Sequence, residues 1–85
     1  MDFKNRILVQ FYTKEDCSLC TKALAIIEKV ARDIPVHLEK INITEDKKIF
    51  EKFKEKIPIV FIENKLAFKY IIDEIKLREK LLRCK

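Results

Sequence analysis

Glycine is absent from all 85 residues. Loops that cradle nucleotide phosphates need glycine for close backbone approach, so nucleotide chemistry built on such a loop is excluded. There is also no run of about 20 apolar residues of the kind that spans a bilayer. The opening residues Met1–Arg6 are largely charged or polar and lead only into the short run Ile7–Tyr12, too brief for the core of a secretory signal. A cytoplasmic location is therefore expected, where a closely spaced cysteine pair is catalytic or metal-binding more often than structural. Histidine occurs once, at His37, and cysteine three times. Zinc takes about four ligands, and beyond the pair Cys17 and Cys20 only His37 and Cys84 remain to supply them.

The composition is that of one small globular domain, 1–85, with 48% hydrophobic and 39% charged residues. Lys and Arg outnumber Asp and Glu by 19 to 14, a net charge of +5. Both signs alternate along stretches such as Glu51-Lys52-Phe53-Lys54-Glu55-Lys56, which read as solvated faces. A basic excess without a groove-filling motif gives only nonspecific attraction to nucleic acid. Neither nucleic acid nor membrane is expected as a partner, and a monomer is expected.

Ile7–Tyr12 reads as a central strand buried on both faces. Leu19, Ala23, Ile26, Ile27 and Val30 recur at helical spacing and define a helix from Ser18 or Leu19 to about Arg32, stopped by Pro35. Val36, Leu38, Ile41 and Ile43 form a second strand with its exit, His37 and Glu39 lying outward or at an edge. Thr44 reads as the cap of a short second helix with Glu45 and Asp46 in its first turn and Ile49, Phe50 and Phe53 on its buried side. Pro58–Ile62 and Leu66–Tyr70 form a hairpin across Glu63-Asn64-Lys65, with Asn64 taking the positive φ. Asp73 caps a last helix whose apolar set is Ile75, Leu77, Leu81 and Leu82. The order is βαβαββα, an α/β fold. Right-handed crossovers would make the first three strands parallel and the hairpin would make the fourth antiparallel.

The chemistry sits at Cys17-Ser18-Leu19-Cys20, where the first strand gives way to a helix. The first turn of a helix has N–H groups without intrahelical partners and the positive end of the macrodipole, which favours a thiolate. Two intervening residues bring the second sulfur one turn on, within reach of the first. Cys17 is the expected nucleophile and Cys20 the resolving thiol. Lys14 adds a cation nearby, opposed by Glu15 and Asp16. Cys84 reads as a spare thiol on the terminus.

Tyr12, Thr13 and Lys14 before the dithiol, and Lys56-Ile57-Pro58-Ile59-Val60-Phe61-Ile62 further on, make the chain resemble the glutaredoxin branch of the thioredoxin superfamily. The usual pattern there is tyrosine, serine or threonine, lysine, proline, then Cys-Pro-Tyr-Cys. Nearly the whole chain is covered, most closely in the manner of small bacterial and archaeal glutaredoxin-like proteins. The resemblance implies a thioredoxin-like fold with a four-stranded mixed sheet, order 2-1-3-4, flanked by three helices. It implies a thiol–disulfide oxidoreductase with catalytic Cys17 and Cys20 and a cis Ile57–Pro58 bond facing the dithiol. Lys14, Ile57, Pro58 and Asp73 are its implied substrate-binding residues. No cofactor is expected, with glutathione as a candidate co-substrate. The implied partners are protein disulfides or glutathione mixed disulfides, and glutathione or a thioredoxin-reductase-type electron donor. One departure bears on substrate: glutathione-using members carry Gly-Gly after the fourth strand, where this chain has Phe68-Lys69-Tyr70-Ile71. Two other classes compete: a metal or cluster carrier through the same cysteines, and a redox-inactive thioredoxin-fold binding module.

Overall fold

The computed structural model describes residues 6–84; the charged opening segment read above as lacking an export signal lies, for residues 1–5, outside the described residues. Its elements run β1 (Ile7–Thr13), α1 (Ser18–Ala31), β2 (Val36–Asn42), a 3-10 turn (Ile43–Glu45), α2 (Lys47–Phe53), β3 (Ile59–Ile62), β4 (Lys65–Lys69) and α3 (Glu74–Arg83). The four strands form one mixed sheet in the order β2-β1-β3-β4. Among the described residues no helix is long and apolar enough to cross a membrane.

β1 pairs with β2 in parallel, from Ile7 opposite Val36 to Thr13 opposite Asn42. β3 is antiparallel to β1, not parallel as the crossover argument expects. Length explains the difference. The seven residues of α2 rise about 10 Å, which matches two strand spacings and falls well short of the roughly 20 Å length of β1. The chain therefore leaves β2 and enters β3 at the same end of the sheet, and β4 returns antiparallel through the hairpin.

The two faces of the sheet are unequally covered. Ile7, Val9 and Phe11 of β1 join Val60 and Ile62 of β3 under α1 and α3, which contribute Ala23, Ile27, Val30, Leu77 and Leu81. Full burial of such side chains stabilises by about 1.5–3 kcal/mol each, so this layer holds the domain together. On the opposite face Leu8, Gln10 and Tyr12 are only half-buried, because α2 is a two-turn helix without a fully buried residue. The expectation that β1 is buried on both faces is thus corrected. Leu19 on α1 and Ile75 and Leu82 on α3 are also solvent-exposed rather than core, and Ile26 is half-buried. α1 and α3 need only one narrow stripe each to cover the sheet, so apolar residues flanking that stripe stay outside.

Local signals differ in two places. Thr44 does not cap α2: it lies inside the 3-10 turn, where its N–H and hydroxyl donate to Asn42 Oδ1. The cap is Asp46, whose Oδ1 accepts from the N–H groups of Lys48 and Ile49 at 2.9 and 3.2 Å. In the hairpin, Glu63 as well as Asn64 has a positive φ, 51° and 67°, the pair that a two-residue turn requires to match the twist of its strands. Glu63 tolerates this because it is tied to β1 twice: its N–H donates to the Leu8 carbonyl, and its Oε2 accepts from Leu8 N–H at 2.7 Å.

The cap assignment predicts that Asp46→Ala lowers the unfolding free energy by about 1 kcal/mol in urea titration, with a smaller loss for Thr44→Ala. The reverse ranking would restore Thr44 as the cap.

Candidate functional site

The register of β1 assembles the site. Tyr12 lies opposite Ile59, so the segment that leaves β1 at residues 14–17 and the segment that enters β3 at residues 57–58 meet at one end of the sheet. Asp16, at φ 59°, turns the first of these into α1. Cys17 is then the N-cap of α1, with extended φ and ψ, and its carbonyl accepts from Thr21 N–H as the helix begins.

A cap residue normally offers an oxygen to the second or third N–H of its helix. Here a sulfur does so: the Cys20 N–H donates to Cys17 Sγ at 3.2 Å. Cys17 is half-buried, with its sulfur directed at the amino end of a 14-residue helix. Cys20 lies one turn in and is 3% exposed, within the main hydrophobic cluster that also holds Ile57. Both thiols are free. Burial is the largest influence on Cys20 and pushes its pKa upward; the hydrogen bond and charge of Cys17 push the same way. The Thr13 side chain and the Lys14 backbone hydrogen-bond to it and pull in the opposite direction. The two thiols are thus chemically distinct: one is at the surface in the field of a helix end, the other is held protonated below it.

Pro58 is fully buried and the Ile57–Pro58 bond is cis. Its carbonyl accepts from Tyr70 N–H at 2.7 Å, which fastens the segment after β4 beside it. Tyr70 has a φ of 66°, a left-handed conformation that glycine adopts freely and a bulky residue does not. Its hydroxyl donates to the Glu55 carbonyl at 3.3 Å. Tyr70, Ile71 and Ile72 then form one wall of an apolar groove of about 240 Å³, with Leu19, Lys22 and Ile26 of α1 on the other wall. Leu19, which separates the two cysteines in sequence, is 42% exposed there.

Cys17, Cys20, Ile57 and Pro58 therefore come together. Lys14 contributes through its backbone while its side chain is exposed. Asp73 lies beyond the groove, and its Oδ1 is engaged as the cap of α3, accepting from Lys76 N–H at 3.0 Å. His37 is a β2 residue with Glu39 Oε2 3.7 Å from its Nε2. Among the described residues no group of three or more His, Cys, Asp or Glu side chains is arranged to hold a metal ion. Sequence reasoning missed Thr13 as a partner of Cys20; its place at the end of the strand leading to the dithiol was the available signal. It also missed Leu19 as a groove residue, because helical periodicity alone assigns Leu19 to the core.

Residues 8–82 match the family profile of the Glutaredoxin-like domain (DUF836). The chain is 40% identical over 82 residues to the "Glutaredoxin-like protein YDR286C homolog" of Dictyostelium discoideum, covering 89% of this chain and 75% of that one. Among solved structures it is similar to protein Ne2328 of Nitrosomonas europaea, with a TM-score of 0.75 and 23% identity, covering 89% and 92% of the two chains. It is similar in fold to Fasciola hepatica thioredoxin, with a TM-score of 0.67 and 24% identity, covering 99% and 86%.

The raised Cys20 pKa fixes the sign of a stability effect. The folded chain holds this proton more tightly than the unfolded chain, so the associated stability is complete below the unfolded thiol value of about 8.5 and is lost as pH rises through the folded value. In a Cys17→Ser background, which removes the neighbouring thiol, unfolding free energy should fall more steeply above about pH 8.5 than in Cys17→Ser/Cys20→Ser. Equal slopes in the two variants would show that burial does not hold the proton.

Proposed function

This chain belongs to the glutaredoxin-like domain family, and we propose that it is a thiol–disulfide oxidoreductase acting through Cys17 and Cys20 on protein disulfides. The observation that carries this reading is the pairing of a half-buried helix-cap thiol, Cys17, with a buried thiol whose own N–H reaches the Cys17 sulfur.

In the first step the Cys17 thiolate attacks one sulfur of a substrate disulfide. A Cys17–substrate disulfide forms, the original bond breaks, and the other substrate sulfur leaves as a thiolate that takes up a proton. In the second step Cys20 gives up its proton and attacks Cys17 Sγ, releasing the second substrate thiol and leaving a Cys17–Cys20 disulfide. Two electrons have passed to the substrate, and an external thiol donor, glutathione or a reductase-coupled dithiol, returns them.

The influences on Cys20, of which burial is the largest, are compatible with this order. While Cys17 is free, its hydrogen bond and charge help keep Cys20 protonated. Once Cys17 is in a mixed disulfide those two influences disappear, and the Thr13 and Lys14 hydrogen bonds that favour the Cys20 thiolate remain to oppose burial. Formation of the mixed disulfide thus removes two of the influences that raise the Cys20 pKa, while burial, the largest, persists. In this reading the backbone at Ile57 and Pro58, delivered to the same end of the sheet as the dithiol, receives the substrate segment, and the exposed Lys14 side chain adds a positive charge in the segment before Cys17.

Protein disulfides are favoured over glutathione mixed disulfides because Tyr70 and Ile71 occupy the place of the family's Gly-Gly. The backbone of Tyr70 keeps the left-handed conformation of a glycine, but Tyr70 and Ile71 add exposed bulk that the glycines of that pattern lack.

A brief iodoacetamide pulse at neutral pH, read by mass spectrometry, should label Cys17 and spare Cys20; preferential labelling of Cys20 would reverse their roles. With a protein disulfide substrate, Cys20→Ser should lose turnover and accumulate a mixed disulfide through Cys17. Full glutathione-dependent activity in that variant, with no trapped protein adduct, would assign glutathione mixed disulfides instead.

A further inference from the structure

The half-covered face of the sheet holds a second concavity, whose lining includes neither cysteine. It is an open groove of about 370 Å³ between α2 and the strands β1 and β3, within the size range of small-molecule sites. Its floor is aromatic. Tyr12 of β1 and Phe61 of β3 have ring centroids 5.6 Å apart, and Phe53 of α2 lies 4.8 Å from Tyr12 and 6.5 Å from Phe61. All three residues are only partly buried, so the cluster is not sealed core.

The rim is cationic. Lys48 and Lys52 both line the groove, and their spacing of four puts them on one side of α2. Lys52 Nζ is 5.3 Å from the centre of the Phe53 ring. Among the described residues neither lysine has a carboxylate within ion-pair distance, and no acidic side chain lines the groove. One acid, Glu39 on β2, is hydrogen-bonded to a residue of the lining, Gln10. Its Oε1 accepts from Gln10 Nε2 at 3.2 Å and its Oε2 lies 3.7 Å from His37 Nε2, which leaves the amide oxygen of Gln10 as an acceptor at the groove floor.

The rings pack tilted or edge-to-face, at 48°, 66° and 68° to one another, and such a partly exposed cluster beside two ammonium groups without carboxylate partners selects a ligand with two properties. It should carry a planar ring to lie against the aromatic floor, and a compact anion to sit between the lysines. A phosphate monoester carries a charge near −2 at neutral pH, which matches two lysines better than a single carboxylate does. We propose that this groove binds a small aromatic monophosphate, an aryl phosphate or a nucleoside monophosphate, held by Lys48 and Lys52 over the Tyr12–Phe53–Phe61 floor. Such a site uses side-chain cations, so the absence of glycine, which rules out a phosphate-cradling loop, does not rule it out. It is independent of the dithiol.

The test is an amide-resolved NMR titration of the full chain, in the reduced state and as Cys17→Ser/Cys20→Ser, with phenyl phosphate and with adenosine 5′-monophosphate. Saturable shifts confined to Gln10, Tyr12, Phe53, Phe61 and α2 are expected, with Kd at or below about 1 mM and no dependence on the cysteines. Adenosine alone and inorganic phosphate alone should each bind at least about tenfold more weakly, a difference of about 1.4 kcal/mol. Lys48→Glu/Lys52→Glu should weaken phenyl phosphate by at least about tenfold. Lys76→Glu/Lys80→Glu, which changes net charge equally on α3, should leave it unchanged.

Several results would overturn the proposal. These are the absence of localised shifts, equal losses in the two charge-reversal variants, or inorganic phosphate binding as well as phenyl phosphate. Binding of a single-stranded oligonucleotide at these residues without binding of either monophosphate would also do so, since the face would then be a polymer surface.

Discussion

With β2 paired to it in parallel on one side and β3 antiparallel on the other, β1 has no free edge, and its end at Thr13 is held level with Asn42 and one residue past the Tyr12–Ile59 pair. That double registration decides where the dithiol goes. The four residues between β1 and α1 cannot reach any other corner of the sheet, and the segment before β3 is delivered to the same corner by the antiparallel pairing. Thr13 ends a strand and also hydrogen-bonds Cys20, so the last rung of the sheet and the first partner of the buried thiol are the same residue.

From the sequence, element order and the dithiol's place at a strand–helix junction are readable, because alternation, helical spacing, Pro35 and Asp73 are local signals. The sheet order was not readable from such signals and came with the resemblance. The direction of β3 is hidden, since it depends on how far a two-turn helix reaches relative to a seven-residue strand. Thr44 and Asp46 are both good caps in isolation; the choice between them is made by Asn42, which engages Thr44 in the preceding turn. Leu19, Ile75 and Leu82 have the right spacing for a core stripe, yet the stripe needed is narrower than the apolar spacing suggests. Periodicity identifies residues able to be buried, and the neighbouring layer determines which of them are.

The site shows the same division. Cys17 and Cys20 are identifiable from spacing, and their inequality follows from the cap position and the depth of one helical turn. The hydrogen bonds that modulate Cys20 are not visible in the sequence, because they join the end of one element to the interior of another. Tyr70 is harder still, since nothing in its local sequence marks a left-handed residue. The hydrogen bond from its N–H to Pro58 and from its hydroxyl to Glu55 are what hold it there.

Among the described residues, four do what glycine usually does: Asp16, Glu63, Asn64 and Tyr70. Asn and Asp visit the left-handed region with help from their short side chains, whereas for other residues it costs roughly 1–2 kcal/mol. Part of that cost is returned, because a chain without glycine has fewer unfolded conformations to lose, about 0.4–1 kcal/mol for each such position. The two least suited residues, Glu63 and Tyr70, are also the two that are anchored at a distance, one to Leu8 and the other to Pro58 and Glu55. Their turns draw stability from the sheet rather than from their own sequence. Neither turn has reason to persist once the sheet has come apart, nor the sheet to close neatly without them, which ties loops and core into a single cooperative unit.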